Sequence, residues 1–205
     1  MEFEQIEIRS RAELRAWLAQ NAETYGQSIW LVTYKKGRGP SVSYDAIVEE
    51  AICFGWIDSR VAKLDADRTM LLLSPRRPSS SWSAVNKRRV ESLLAQGLLT
   101  PRGLAMIEQA RATGAWDRLN QVDALMEPED LKQALAQTAF AAQNWAIMPP
   151  SSKRGILEWI AAAKRMETRA KRVQRTVVLA GQGKKANFPE GRNLISGAIG
   201  PDIAT

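Results

Sequence analysis

The sequence predicts an α+β protein: a small antiparallel sheet with helices in the N-terminal half, followed by an all-helical C-terminal part. Two observations predict this. Three strand-like runs bounded by turn residues lie before Pro78, and beyond it the apolar residues recur at helical spacing between Ser or Thr caps and Gly stops. The length of 205 residues, with 45% hydrophobic and 25% charged, is that of an ordinary globular chain and excludes disorder throughout.

Ser10 caps a first helix, 10–20, in which Leu14, Trp17 and Leu18 share one face. The run 28–35 (SIWLVTYK) reads as a strand, ended by Lys36-Gly37-Arg38-Gly39-Pro40. Ser43 caps the next helix and Asp45 sits in its electropositive first turn. Tyr44, Ile47, Val48, Ala51 and Ile52 follow the 3.6-residue repeat up to the stop at Gly55. Runs 56–63 and 68–74 flank Asp65-Ala66-Asp67 and read as a hairpin. Ser83 caps a helix ending at Gly97, and Thr100-Pro101 opens another that Gly114 ends. One or two helices occupy 128–146. After Pro149-Pro150 follow a helix carrying Ile156, Leu157 and Ile160, and a last helix over 168–180. The expected organisation is a body at 1–148, a basic helical hairpin at 149–180 packed on it, and a Gly- and Pro-rich tail at 181–205.

Charge is concentrated. Residues 1–150 hold 18 Lys/Arg and 18 Asp/Glu, whereas residues 151–185 hold 10 basic residues against two acids. Lys164, Arg165, Arg169, Lys171, Arg172 and Arg175 are therefore the candidate contacts for a polyanion such as nucleic acid, held without sequence specificity. The chain contains no histidine and one cysteine, Cys53, which excludes Ser-His-Asp and Cys-His mechanisms, the usual zinc sites and an internal disulfide. No metal site or cofactor motif is read. No run of apolar residues is long enough to span a membrane, and the charged N-terminus lacks a signal-peptide core, so a cytoplasmic location is expected.

The densest polar and aromatic cluster lies between Trp56 and Asn86. If 56–63 pairs with 68–74, Trp56 and Asp58 fall near Ser74, Arg76 and Trp82 at one sheet edge, beside the helix opened by Ser83 and Asn86. Indoles, a carboxylate and guanidiniums so placed form a pocket for a small aromatic or anionic ligand. The bland alternative makes Trp82 a staple, Ser83 a plain cap and Asp58–Arg76 an ordinary ion pair. Lys35, Tyr44 and Arg60 complete the candidate set. With Asp58 they also offer acid, base and anion-clamp groups to a histidine-independent enzyme of undefined reaction, the third reading after ligand and polyanion binding.

At these residues the sequence resembles the YdeI-like, OmpD-associated or bacteriocin-protection family. The matching words are Ile29-Trp30-Leu31-Val32, Tyr34-Lys35-Lys36-Gly37, Tyr44-Asp45, Glu49-Glu50-Ala51, Cys53-Phe54-Gly55-Trp56-Ile57-Asp58-Ser59-Arg60 and Ser74-Pro75-Arg76-Arg77-Pro78. They continue through Trp82-Ser83, Asn86-Lys87-Arg88, Thr100-Pro101 and Gly114-Ala115-Trp116 to Pro149-Pro150-Ser151, Ala163-Lys164-Arg165 and Glu167-Thr168-Arg169, so the resemblance spans roughly residues 10–180. It implies a protective, stress-linked role named for bacteriocins and a porin, and carries over no reaction or catalytic residues. Met166 stands where the family pattern has Pro.

Overall fold

A computed structural model of the chain describes residues 3–200. It is an α+β fold, as expected, with a mixed four-stranded sheet near the N-terminus and helices beyond it. The chain divides into two compact units between Arg118 and Leu119.

In the first unit the strands are β1 (Gln5–Glu7), β2 (Ile29–Tyr34), β3 (Trp56–Lys63) and β4 (Arg68–Pro75), in the order β1-β2-β4-β3. The expected β3–β4 hairpin forms, with Trp56 opposite Pro75 and Asp58 opposite Leu73, and its register shifts between Asp58 and Val61. β2 pairs antiparallel to β4 with Leu31 opposite Leu71. The strand not foreseen is β1, which runs parallel to β2 and makes the sheet mixed. Three residues are too short to display a period of two.

The helices of this unit are α1 (Arg11–Asn21), α2 (Tyr44–Cys53), α3 (Ala84–Ala95) and α4 (Pro101–Ala112). Ser10, Ser43, Ser83 and Thr100 each accept a backbone N–H three residues on, which satisfies a donor that a helix start otherwise leaves open. Leu14, Leu18, Ile29, Leu31, Ile52, Trp56, Leu73 and Leu93 form the core.

Two polar devices hold α2. Glu50 is buried, and its carboxylate takes Arg11 Nε at 2.6 Å and Arg15 Nη1 at 2.9 Å, while Arg15 Nη2 donates to the Leu98 carbonyl at 3.0 Å. At the C-terminal end of α2 the Cys53 carbonyl accepts from Thr100 Oγ1 at 2.6 Å and Thr100 N at 3.1 Å. A Cβ at Gly103 would come within 2.3 Å of that same carbonyl oxygen. Glycine is here for space, since the α4 backbone lies directly on the end of α2.

The second unit is helical: α5 (Asn120–Asp123), α6 (Glu129–Ala136), α7 (Ala139–Ile147), α8 (Pro150–Ala161) and α9 (Met166–Gly181). Leu131, Leu135, Ala141 and Trp145 of α6 and α7 share one core with Ile156, Leu157, Ile160, Val173 and Val177 of α8 and α9. The division expected after 148 thus lies earlier, because the apolar faces of α8 and α9 are completed by α5–α7. Pro150 is the first residue of α8, where the missing N–H costs nothing. The segment read as a tail is also folded through residue 200: Ala186 and Ile195 are buried, and Lys184 bridges Leu194. Residues 201–205 of that expected tail lie outside the described residues.

Two outcomes check this packing. Gly103→Ala lowers stability by about 1–3 kcal/mol in denaturant unfolding, although Ala is the better helix former, because the added methyl overpacks the α2–α4 contact. Arg11→Ala with Arg15→Ala strips a buried carboxylate of both partners and costs about 3–5 kcal/mol by the same measurement, more than Glu50→Gln.

Candidate functional site

A cavity of the first unit lies where β2 leaves the sheet and α2 begins. It encloses about 540 Å³ between Thr33 and Tyr34 of β2, the loop at 35–43, Tyr44 and Ile47 of α2, Val61 of β3 and Met70 of β4. The loop is shaped by its own residues. Gly37 takes φ +79°, in the left-handed region, and a Cβ at Gly39 would lie 2.5 Å from the Tyr34 ring, so the chain closes flat on that ring. The Val42 N–H donates to the buried Thr33 Oγ1 at 3.2 Å, which ties the far end of the loop to the sheet.

Polar groups mark two sides of this cavity. Lys35 Nζ donates to the Asp65 carbonyl at 2.9 Å and the Ala66 carbonyl at 2.7 Å, so its charge is committed to the hairpin turn. Lys36 beside it is exposed. The Tyr44 hydroxyl donates to Asp58 Oδ2 at 2.6 Å. Partial burial, reinforced by the Asp58 charge, pushes the phenol up to about 12 and keeps it a neutral donor through the physiological range.

Of the ten ligand-site residues named from the sequence, the structure brings Lys35, Tyr44 and Asp58 to this place. The others lie elsewhere or serve the frame. Trp56 is fully buried, donates its indole N–H to the Ala22 carbonyl at 3.4 Å and meets Trp17 edge to face at 6.0 Å. Trp82 is equally buried, 5.2 Å from Trp116. Trp56 and Trp82 therefore fill the core and do not wall an open pocket. Ser74 shares a 2.7 Å hydrogen bond with Ser28, Ser83 is the α3 cap, Asn86 accepts from Arg89 at 2.8 Å, and Arg60 stacks over Trp30 at 5.2 Å. Thr33, Tyr34, Val42, Val61 and Met70 were not singled out. The glycines at 37 and 39 mark a turn in the sequence, but the closure of that turn on the Tyr34 ring appears only in the fold.

Arg76 is the exceptional group. It is 5% exposed, its guanidinium lies 3.5 Å from the centroid of the Trp82 ring, and Nη2 donates to the Ser81 carbonyl at 2.7 Å. Its Nε and Nη1 have no hydrogen-bond partner. Burial pulls its pKa down to about 10, opposed by the negative charge of Asp58. It remains a cation at neutral pH, sandwiched against an indole face that provides attraction in place of water. No cluster of metal-ligating residues exists among the described residues.

In the second unit the predicted polyanion contacts are partly occupied. Arg169 grips Asp130 through Nε at 2.6 Å and Nη2 at 2.9 Å, and Lys171 pairs with Glu167 at 2.5 Å. Arg172 lies over the Trp159 ring at 5.0 Å and donates to the Trp159 carbonyl. Lys164, Arg165 and Arg175 are exposed. Among the described residues no helix is long and apolar enough to cross a membrane.

Comparison with known families separates the two units. The sequence model described as "Bacteriocin-protection, YdeI or OmpD-Associated" matches residues 124–183. Over these residues the second unit is similar to that family. This bears out the resemblance read from the sequence over residues 124–183, and the match falls on α6 to α9. Residues 6–106, including the cavity beside Tyr44, match the model of a domain of unknown function (DUF8412). No curated protein and no solved structure matches the chain. The YdeI-like helices and the cavity-bearing sheet thus answer to two different models.

The Tyr44–Asp58 bond gives a titration with a definite sign. The folded phenol binds its proton more tightly than an unfolded one, so the stabilisation is complete below about pH 10 and is lost as pH rises through about 12. In a tyrosinate absorbance titration, Tyr44→Phe removes the component that ionises near pH 12, and Asp58→Asn moves it down.

Proposed function

We propose that this chain is a stress- or bacteriocin-protection-type protein, acting in the cytoplasm. Its first unit holds a small ligand with an aromatic or apolar body and one anionic group. The observation that carries this reading is the cavity beside Tyr44. Its size lies within the range of small-molecule sites, roughly 300–1,000 Å³, and its walls are mostly apolar, with Val42, Ile47, Val61, Met70 and Leu71 facing few polar groups. Lys36 supplies an exposed cation at its rim, while the Lys35 ammonium is held by the hairpin turn. The protective role is supported by the family model matched in the second unit.

Binding suits the site better than catalysis. A general acid or base works best with a pKa near the operating pH, and the Tyr44 phenol is held far above it. Asp58 accepts from that phenol, which fits a positioning role. The polar pair thus orients a ligand and leaves no proton ready to move at neutral pH.

Met70 offers a local probe. With methyl-labelled methionine, titration with benzoate and naphthoate shifts the Met70 methyl resonance saturably, and naphthoate binds tighter than the neutral naphthyl alcohol. Lys36→Gln weakens the acids several-fold and leaves the alcohol unaffected. A Met70 resonance that stays still at millimolar acid sinks the proposal. The cellular placement is read separately, by fractionation.

A further inference from the structure

The second unit contains its own cavity, of about 410 Å³, that no family description assigns. It is made by the chain returning after α9. The Lys184 N–H donates to the Leu179 carbonyl at 2.8 Å, the Ile195 N–H to the Gly183 carbonyl at 2.8 Å, and the Lys185 N–H to the Asn193 carbonyl at 2.5 Å. Ala186 and Ile195 anchor this return in the core, and Asn187 turns it in the left-handed region at φ 60°. Phe188 is thereby laid against α8 at Gly155, where a Cβ would stand 3.9 Å from its ring. Trp159 follows one helical turn later on α8, so two aromatic side chains line the same cavity.

The charges around them are unbalanced. Arg175, Lys184 and Lys185 line the cavity with a single carboxylate, Glu190. Lys185 Nζ lies 5.1 Å over the Phe188 ring, and Arg172 covers Trp159 at 5.0 Å. Lys185 in the cavity and Arg172 beside it are therefore held by ring faces, which attract them without cancelling their charge. Asn193 adds a side-chain amide with both donor and acceptor groups.

We propose that this cavity binds a mononucleotide-class ligand, a flat heteroaromatic ring carrying phosphate. Trp159 and Phe188 take the ring by stacking, Arg175, Lys184 and Lys185 take the phosphate oxygens, and the Asn193 amide reads the ring edge. Size discriminates against a bare inorganic anion, which would fill little of the space and touch neither ring. The site uses part of the basic segment for a bounded ligand and is independent of the cavity beside Tyr44.

The test is isothermal titration of the full chain with ADP, pyrophosphate and adenosine. ADP binds, while pyrophosphate and adenosine bind at least tenfold more weakly. Arg175→Ala and Lys184→Gln each weaken ADP at least fivefold with an unchanged melting temperature, since Arg175 is exposed on α9 and Lys184 is only partly buried in the return. Glu190→Gln tightens ADP, a change of sign that misfolding cannot produce. The proposal is overturned if millimolar ADP gives no binding, if pyrophosphate binds as well as ADP, or if the charge variants leave ADP affinity unaltered. Retention of single-stranded RNA by a chain that ignores ADP overturns it as well, in favour of an extended polyanion surface.

Discussion

The first unit depends on one buried carboxylate. Glu50 lies on the inner side of α2 among Ile47, Ala51 and Ile52, where an unpaired charge is not tolerated. Arg11 and Arg15, one turn apart on α1, reach it from half-exposed positions, and Arg15 also binds the Leu98 carbonyl between α3 and α4. A single charge thus fixes α1, α2 and the α3–α4 connection in register. Burial also raises the neighbouring Cys53 thiol, assisted by the charge of Glu50. The cysteine is therefore a small apolar filler at neutral pH and not a nucleophile.

Much of the frame was legible because its signals are local. The four Ser and Thr caps, the Gly stops and the hairpin turn each state their structure within a few residues, and each is present. β1 was not legible, because a three-residue parallel strand is defined only by its distant partner Trp30-Leu31-Val32. The fold of 184–200 was hidden for the same reason. Its anchors, Ala186, Phe188 and Ile195, are isolated apolar residues in a Gly-rich stretch, and only the core they enter gives them meaning.

The site was legible in part. The β3–β4 pairing is legible in the sequence, whereas Trp56 and Trp82, pocket walls by their polar neighbours in sequence, are core. An aromatic residue beside polar neighbours looks the same in sequence whether its ring faces inward or outward. Arg76 illustrates the ambiguity: a guanidinium packed on Trp82 is a recognition element when open to solvent and a structural one at 5% exposure. The cavity arose instead where a loop of ordinary turn residues closes over Tyr34, a tertiary event with no periodic signature.

Helix α2 is seized at three points along about 15 Å of its length. Its middle is held by two arginines, its last carbonyl by the amide and hydroxyl that open α4, and its first turn by Ser43 and the Tyr44–Asp58 bond. The negative end of its dipole meets the positive end of α4, so the two helices reinforce each other electrostatically. A side chain on such a fixed rod is preorganised: the Tyr44 phenol at the cavity mouth is fixed by the fold itself. The entropy of ordering it belongs to folding, and a ligand of the proposed kind would not bear it again.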